Sequence, residues 1–115
     1  MTPNLTRYQK KLFREQISKF FTELQRQGIV CKKNYMCCTT CATHSLSQEC
    51  DDTQSYLYYH SQDNDTLKEG ADFLYLGHRI LEKDIDKVIA LLPLFGGEWN
   101  GEETTKILLS RIERQ

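Results

Sequence analysis

The start of the chain decides the fold, because residues 3–27 form one amphipathic stretch, PNLTRYQKKLFREQISKFFTELQRQ. Its apolar side chains recur at the spacing of one helix face: Leu5, Tyr8, Leu12, Phe13, Ile17, Phe20, Phe21 and Leu24. Thr2 and Pro3 suit the N-cap and first helical position, and Gly28 suits the C-terminal stop. The other face is basic, which is also typical of a membrane-surface helix. We expect instead a long N-terminal helix that covers a sheet.

A second helix is predicted over residues 81–92, where the apolar residues again fall on one face and Pro93 ends the pattern. These residues are Leu81, Ile85, Val88, Ile89 and Leu92. A shorter helix is predicted over residues 40–50. Asp63 is a suitable N-cap for a helical turn that Gly70 closes.

Four further stretches have the composition of β-strands, namely residues 29–31, 55–60, 73–76 and 104–112. Residues 73–76 are apolar on both faces, which predicts a central strand. Asn100-Gly101 predicts a two-residue hairpin turn before the last strand, so one more strand precedes it. The chain of 115 residues is therefore predicted to be a single α+β domain, 1–115. It would contain about five mostly antiparallel strands covered by the N-terminal helix and the helix near 81–92.

The composition predicts a cytoplasmic protein with a protein partner. The net charge is −1, which does not favour nucleic-acid binding by the chain as a whole. The charge is uneven, since residues 1–33 carry eight Lys and Arg and residues 45–75 carry seven Asp and Glu. This asymmetry suits either a partner or two solvated faces. We see no secretory signal and no apolar run of membrane-spanning length. Five cysteines leave one unpaired, as expected where thiols stay reduced.

The most unusual stretch is residues 34–44, where Cys37, Cys38 and Cys41 precede His44. Cys38-x-x-Cys41 is a spacing that lets two thiolates share one zinc ion, and His44 is placed to be a third ligand. The fourth ligand would be one of Cys31, Cys37, Cys50 and His60. Zinc is thus the cofactor that the sequence allows.

Two other interpretations of the cysteines stay open. In the first, Cys38 at a helix N-terminus attacks a disulfide and Cys41 resolves it, or a cysteine pairs with a histidine as a protease-like nucleophile. In the second, Cys38, Ala42, Leu46 and Cys50 recur every four residues and simply form the buried face of a helix.

A second polar cluster follows the strand predicted at 55–60. His60 and Asp63 there could act as a general base and the group that orients it, or bind a divalent ion with Asp65. Strand ends often carry such sites, although half-buried histidines and capping aspartates are common there as well.

Three motifs together resemble an uncharacterised family of small domains found mainly in bacteria. The motifs are Asn34-Tyr35-x-Cys37-Cys38-x-x-Cys41, Tyr59-His60-x-Gln62-Asp63 and Leu74-Tyr75-Leu76. The resemblance covers residues 28–112, and it differs at Ala42, where the family often has glycine. No activity is implied. The resemblance does imply which positions matter, and these are Cys37, Cys38, Cys41, His60, Gln62 and Asp63. It also implies that the first two motifs meet in space, which favours His60 over His44 as the partner of the cysteines.

The sequence therefore predicts a non-enzymatic, cytoplasmic domain that binds a protein, with a cysteine cluster suited to a structural zinc. The alternative is a small thiol- or metal-dependent enzyme that uses Cys38, Cys41 and His60. A binding domain should expose an aromatic patch, for which Trp99 is the candidate. An enzyme should bring Cys38 close to His60.

Overall fold

The computed structural model describes residues 5–36, 39–102 and 105–112. The helices there are α1 (Arg7–Arg26), α2 (Thr39–Glu49), α3 (Ser61–Lys68) and α4 (Glu82–Leu91), and a 3₁₀ turn, Leu92–Phe95, follows α4. The strands are β1 (Val30–Lys32), β2 (Tyr56–Tyr58), β3 (Phe73–Arg79), β4 (Gly97–Glu98) and β5 (Ile107–Ser110). They form one sheet in the order β1-β2-β3-β5-β4. The β1–β2 pair is parallel and the other pairs are antiparallel, so the predicted α+β class is confirmed.

One face of the sheet, called here the inner face, carries the main core beneath α1. Five α1 side chains are buried against the sheet: Phe13, Ile17, Phe20, Phe21 and Leu24. They meet the inward side chains of three strands, which are Leu57, Leu74, Leu76, Ile107 and Leu109. Val88 of α4 and Leu67 of α3 complete this core. The predicted cover of the sheet by α1 and the helix near 81–92 is therefore confirmed.

The helix α1 begins later than the sequence suggested. The Thr6 hydroxyl accepts a hydrogen bond from the Gln9 N–H at 3.1 Å, and the Gln9 side chain accepts one from the Thr6 N–H at 2.9 Å. This reciprocal pair satisfies two amides at the helix start. The predicted start at residue 3 is therefore wrong, and the suggested cap at Thr2 and Pro3 lies outside the described residues.

The opposite, outer face of the sheet is only partly covered. α2 lies over β1 and β2, and Ala42, Leu46 and Cys50 pack there against Tyr56 and Tyr58. The helix predicted at 40–50 and its buried every-fourth-residue face are thus confirmed for these three residues. Because β1 and β2 are parallel, the connection between them has to cross over the sheet, and α2 is that crossover.

β3 is the central strand of the sheet, as predicted. Phe73 and Tyr75 are exposed, so it is buried on its inner face alone in that half, and two other details of the predicted elements are wrong. Ile89 is also exposed, because the buried stripe of α4 is narrower than its apolar spacing suggested. The two-residue hairpin is replaced by a longer loop, since Glu98 pairs with Leu108 and Gly97 pairs with Leu109.

No helix among the described residues combines the length and the apolar character needed to cross a bilayer.

Candidate functional site

The cysteine stretch and the His60 stretch meet at one edge of the sheet. The Tyr35 N–H donates to the Tyr59 carbonyl at 2.8 Å, and the Ser61 N–H donates to the Met36 carbonyl at 3.0 Å. Both segments leave the carboxyl ends of the parallel strands β1 and β2, and α2 and α3 begin beside them. Met36 turns the chain with a left-handed backbone, φ 61°. The meeting that the resemblance implied is therefore present as far as Met36.

The cysteines of that stretch are only partly described. Cys37 and Cys38 lie outside the described residues, so the closeness of Cys38 to His60 stays a prediction. Cys41, in the first turn of α2, and His44, in the next, are exposed. Within residues 5–36, 39–102 and 105–112, no group of three His, Cys, Asp or Glu side chains is arranged to hold a metal. A zinc site at Cys38, Cys41, His44 and His60 stays a prediction, which metal analysis of purified protein can test.

His60 is buried and caps α3. Its Nδ1 accepts a hydrogen bond from the Asp63 N–H at 3.4 Å, and an Asp63 carboxylate oxygen accepts one from the His60 N–H at 3.4 Å. The same carboxylate lies 3.4 Å from His60 Nε2. An accepting Nδ1 places the ring proton on Nε2, facing the carboxylate. The predicted N-cap at Asp63 is therefore wrong, since His60 occupies that position and Asp63 is the third helical residue.

This arrangement places both ring nitrogens of His60 within 3.4 Å of Asp63, and Nδ1 forms the hydrogen bond that caps α3. Metal binding or base catalysis would require one of these contacts to open. Gln62, on the first turn of α3, is exposed, so its side chain is available to solvent. The geometry of the predicted second cluster is that of a helix start, built from a histidine where Ser, Thr, Asp or Asn is usual.

A polar contact ties this edge to α1. An Arg14 Nη1–H donates to Oδ1 of the buried Asn64 at 3.2 Å. Burial raises the pKa of the Tyr59 hydroxyl, and Arg14, which hydrogen-bonds to it, opposes this effect. Arg14 therefore joins α1 to α3 and to the end of β2. The apolar periodicity of α1 gave no signal of this contact.

Two of the described thiols are held in their neutral form. Burial raises the pKa of Cys31 to about 12, and burial also raises the pKa of Cys50. Since the thiolate is the nucleophile and the metal ligand, neither residue is prepared for these roles. Of the described cysteines, Cys41 alone is exposed.

A buried hydrogen-bond pair fixes α4 to the start of β2. The Ser55 hydroxyl donates to an Asp84 carboxylate oxygen at 2.6 Å and accepts from the Leu81 N–H at 2.8 Å. Both side chains are buried, and an exposed Lys87 lies 3.4 Å from Asp84. This pair has no signature in the sequence, because a lone Ser and a helix-start Asp are common on surfaces.

Trp99 is not the exposed aromatic patch that the sequence suggested. Its ring packs edge-on against His78, with centroids 4.9 Å apart. Its indole N–H points at the carbonyls of Glu102 and Thr105, at 3.0 and 3.1 Å. Trp99 therefore holds the loop between β4 and β5, and His78 packs against it.

The exposed aromatic surface lies instead on the outer face of β3. Phe73 and Tyr75 are 42% and 47% exposed, and their rings meet edge-on at 5.7 Å. Tyr75 pairs with Leu108 and Phe73 pairs with Ser110, so the four side chains form two cross-strand rows. We call this surface the open sheet face. Exposed Glu98 and Lys106 lie at its margin.

These observations define a small α+β domain whose sheet is covered by helices on one face and on half of the other. Residues 5–115 match the family model described as "Domain of unknown function (DUF6891)", and the chain belongs to that family. The resemblance to an uncharacterised domain family is thereby confirmed, and its cysteine motif and mainly bacterial occurrence stay predictions. No curated protein and no solved structure matched the chain.

Proposed function

We propose that the chain is a protein-binding domain whose open sheet face docks an amphipathic helix of a partner protein. The observation that carries this proposal is that α2 covers one half of the outer face, whereas Phe73 and Tyr75 stand exposed on the other half. Exposed neighbouring aromatic side chains are the typical anchors of protein interfaces.

The dimensions of the open sheet face suit one helix. Strands β3, β5 and β4 are neighbours, and two strand spacings of about 4.8 Å give a width of about 10 Å. A helix with its side chains is about 10–12 Å in diameter. A docked helix would lie beside α2 in the same layer. Thr43 of α2, whose hydroxyl hydrogen-bonds to the Tyr58 hydroxyl at 3.1 Å, has a small side chain. Its small size supports the close approach of a docked helix to α2.

The side chains of the open sheet face indicate the chemistry of that helix. Phe73, Tyr75 and Leu108 offer an apolar centre, which suits apolar residues spaced i, i+3, i+4 and i+7. Glu98 and Lys106 carry opposite charges at the margin, which supports a single orientation of a partner with complementary charges.

A second copy of the chain is a poorer occupant. In a face-to-face dimer, α2 of each copy would have to lie over the open sheet face of the other. The outward side chains of α2 include three exposed polar residues, His44, Ser47 and Gln48. These would bury polar groups against Phe73 and Tyr75 without matching hydrogen bonds, which is unfavourable.

The reducing cytoplasm is the compartment that we propose for this interaction. Free thiols at Cys31 and Cys50 support this proposal, since free thiols persist where glutathione keeps cysteines reduced.

The test is selection from a displayed library of amphipathic helices, each about 20 residues long, against the wild-type domain. We expect selected helices to bind with Kd values near or below about 10 μM and to weaken at least about tenfold with Tyr75→Ser. The matched control is Tyr8→Ser, an exposed tyrosine on α1, on the other side of the sheet. It should leave binding unchanged.

Three outcomes would contradict the proposal. The first is a selection that yields no binder. The second is a set of binders whose affinity falls no more with Tyr75→Ser than with Tyr8→Ser. The third is self-association of the wild-type domain. Sedimentation velocity on the wild type measures the last of these. A dimer that Tyr75→Ser dissociates would make the second copy the occupant.

A further inference from the structure

We propose that the exposed basic side of α1 binds a short segment of single-stranded nucleic acid. An open surface depression of about 680 Å³, called here the groove, lies along this side of the helix, and all of its lining residues belong to α1. Its lining includes five cationic side chains and one carboxylate, which are Arg7, Lys10, Lys11, Arg14, Lys19 and Glu15. The groove is on the inner side of the sheet, away from the open sheet face, so this proposal rests on residues that the proposed function does not use.

The cations of this groove are electrostatically available. Within the described part of the chain, none of the five forms an ion pair, whereas Arg26 at the end of α1 pairs with Glu23 at 2.7 Å. A further cation is added by Lys33, whose Nζ donates to Ser18 Oγ at 2.7 Å. Ser18 itself lines the groove. Five cations therefore lie along one side of α1, and Lys33, which follows β1, adds a sixth beside Ser18.

The net charge of −1 argued against nucleic acid for the chain as a whole, and the fold changes that conclusion locally. Charges act over a screening length of about 8 Å at physiological salt, so a ligand responds to nearby groups. The acidic residues near the C-terminal end of α2 and along α4 lie on other elements, whereas Asp63 and Asp65 of α3 flank Asn64, which Arg14 contacts. In the groove, Glu15 is the one carboxylate among the lining residues.

The arrangement of the cations suits a strand of phosphates. Arg7, Lys11 and Arg14 follow one another by about one helical turn, or about 5.4 Å along the axis. Phosphates of an extended strand repeat on a similar scale. Two neighbours are held in place, since Lys10 Nζ donates to the Lys68 carbonyl at 2.8 Å and Arg14 donates to Asn64. Positioned cations lose less freedom when a ligand binds.

Tyr8 favours nucleic acid over an acidic protein segment. It is 68% exposed and lies in the first turn of α1, next to Arg7 in the chain and three residues before Lys11, at the margin of the groove rather than in its lining. A base can stack on such a ring, and stacking on aromatic side chains beside a basic groove is the usual means of sequence-tolerant single-strand binding. An acidic segment would use the same cations but would offer no flat group to Tyr8.

The experiment is fluorescence anisotropy with a labelled oligouridine of about 12 nucleotides. With about four phosphate contacts, affinity should fall about 50-fold between about 50 and about 200 mM salt. The triple variant Arg7→Gln, Lys11→Gln, Lys19→Gln should weaken binding at least about tenfold and lower the salt dependence. Tyr8→Ala should weaken it about tenfold.

The matched control removes the same charge elsewhere, through Arg26→Gln, Lys83→Gln and Lys106→Gln, and should change affinity less than about twofold. Absence of oligouridine binding at low salt, or an equal loss in the control, would overturn the proposal. If Tyr8→Ala has no effect and a polyglutamate peptide binds as well as oligouridine, the groove belongs to an acidic protein. Tyr75→Ser, on the open sheet face, should leave oligouridine binding unchanged, so the two proposals fail separately.

Discussion

The two halves of the outer sheet face carry similar side chains and have different neighbours. Over β1 and β2, Tyr56 and Tyr58 are buried beneath α2. Over β3 and β5, Phe73 and Tyr75 are exposed, with no helix above them in the part of the chain that the structure describes. The difference lies in the connections, because the parallel pair β1–β2 requires a crossover on this face and the antiparallel pair β3–β5 does not. Aromatic content alone therefore does not show which half is open.

The largest predicted difference between the two halves is in the free energy of unfolding that is lost when a carboxylate is placed in each of them. Leu46→Asp puts a charge at a position that is fully buried between α2 and the sheet, and should lower the free energy of unfolding by about 4 kcal/mol. Tyr75→Asp makes the same charge on the open sheet face and should cost less than about 1 kcal/mol. Urea unfolding followed by circular dichroism measures both.

Equal costs at these two positions would contradict the difference between the halves. A large loss with Tyr75→Asp alone would mean that the open sheet face is covered in solution, which is the result expected if a second copy occupies it. A sedimentation measurement at the same protein concentration separates these cases.

A smaller effect is predicted at Gly77, where the covered half ends. Gly77 pairs with Tyr58, and a Cβ added at Gly77 would overlap the Tyr58 ring. Glycine in a strand often marks such a close approach. Gly77→Ala should therefore lower the free energy of unfolding by about 2 kcal/mol, because the ring must move from its packed position under α2. Denaturant unfolding checks this value.

A double-mutant cycle identifies the cause. In a Tyr58→Ala background the ring is absent, so Gly77→Ala should become neutral or slightly stabilising, as Gly to Ala changes are at compatible backbone angles. If the cost of Gly77→Ala persists without the ring, the backbone of β3 and not the Tyr58 contact requires glycine.

Much of the fold could be predicted from the sequence because it depends on periodic apolar patterns. The stripe of α1 and the face of α2 place most of their residues correctly, and the β-prone runs give the strands. Tyr8, predicted in the stripe of α1, is wrong, since it is 68% exposed. The boundaries were harder. The start of α1 depends on the side chains of Thr6 and Gln9, and a proline two residues from the N-terminus was the stronger local signal. The β4–β5 loop depends on Trp99, a contact that Asn100-Gly101 does not reveal.

The candidate surfaces were less predictable, because exposure results from topology. Residues Phe73 to Leu76 are apolar throughout, which predicts burial on both faces, yet nothing in the strand itself says whether a helix lies above it. The meeting of the Met36 and Ser61 segments followed from a family resemblance, and no spacing in the chain indicates it. The charge asymmetry was visible in the sequence. The gathering of the cations at one groove depends on how α1 is rotated about its axis. The buried face of α1 fixes this rotation.

The smallest predicted effect concerns Cys31, on the inner face of β1 beneath the covered half. Burial raises the pKa of this thiol to about 12, against an ordinary value of 9.0, and Lys33 opposes the shift only in part. The folded state therefore retains a proton that the unfolded state loses as the pH rises above 9.0. By linkage, the free energy of unfolding declines with rising pH in this range, up to the folded pKa.

Between about pH 8 and about pH 10 the free energy of unfolding of the wild type should therefore fall by about 1 kcal/mol more than that of Cys31→Ala. Urea unfolding at the two pH values gives both slopes, and the difference between slopes removes the constant cost of the truncated side chain. Equal slopes would mean that water reaches the thiol, and that β1, at the edge of the sheet, is less well covered than β2.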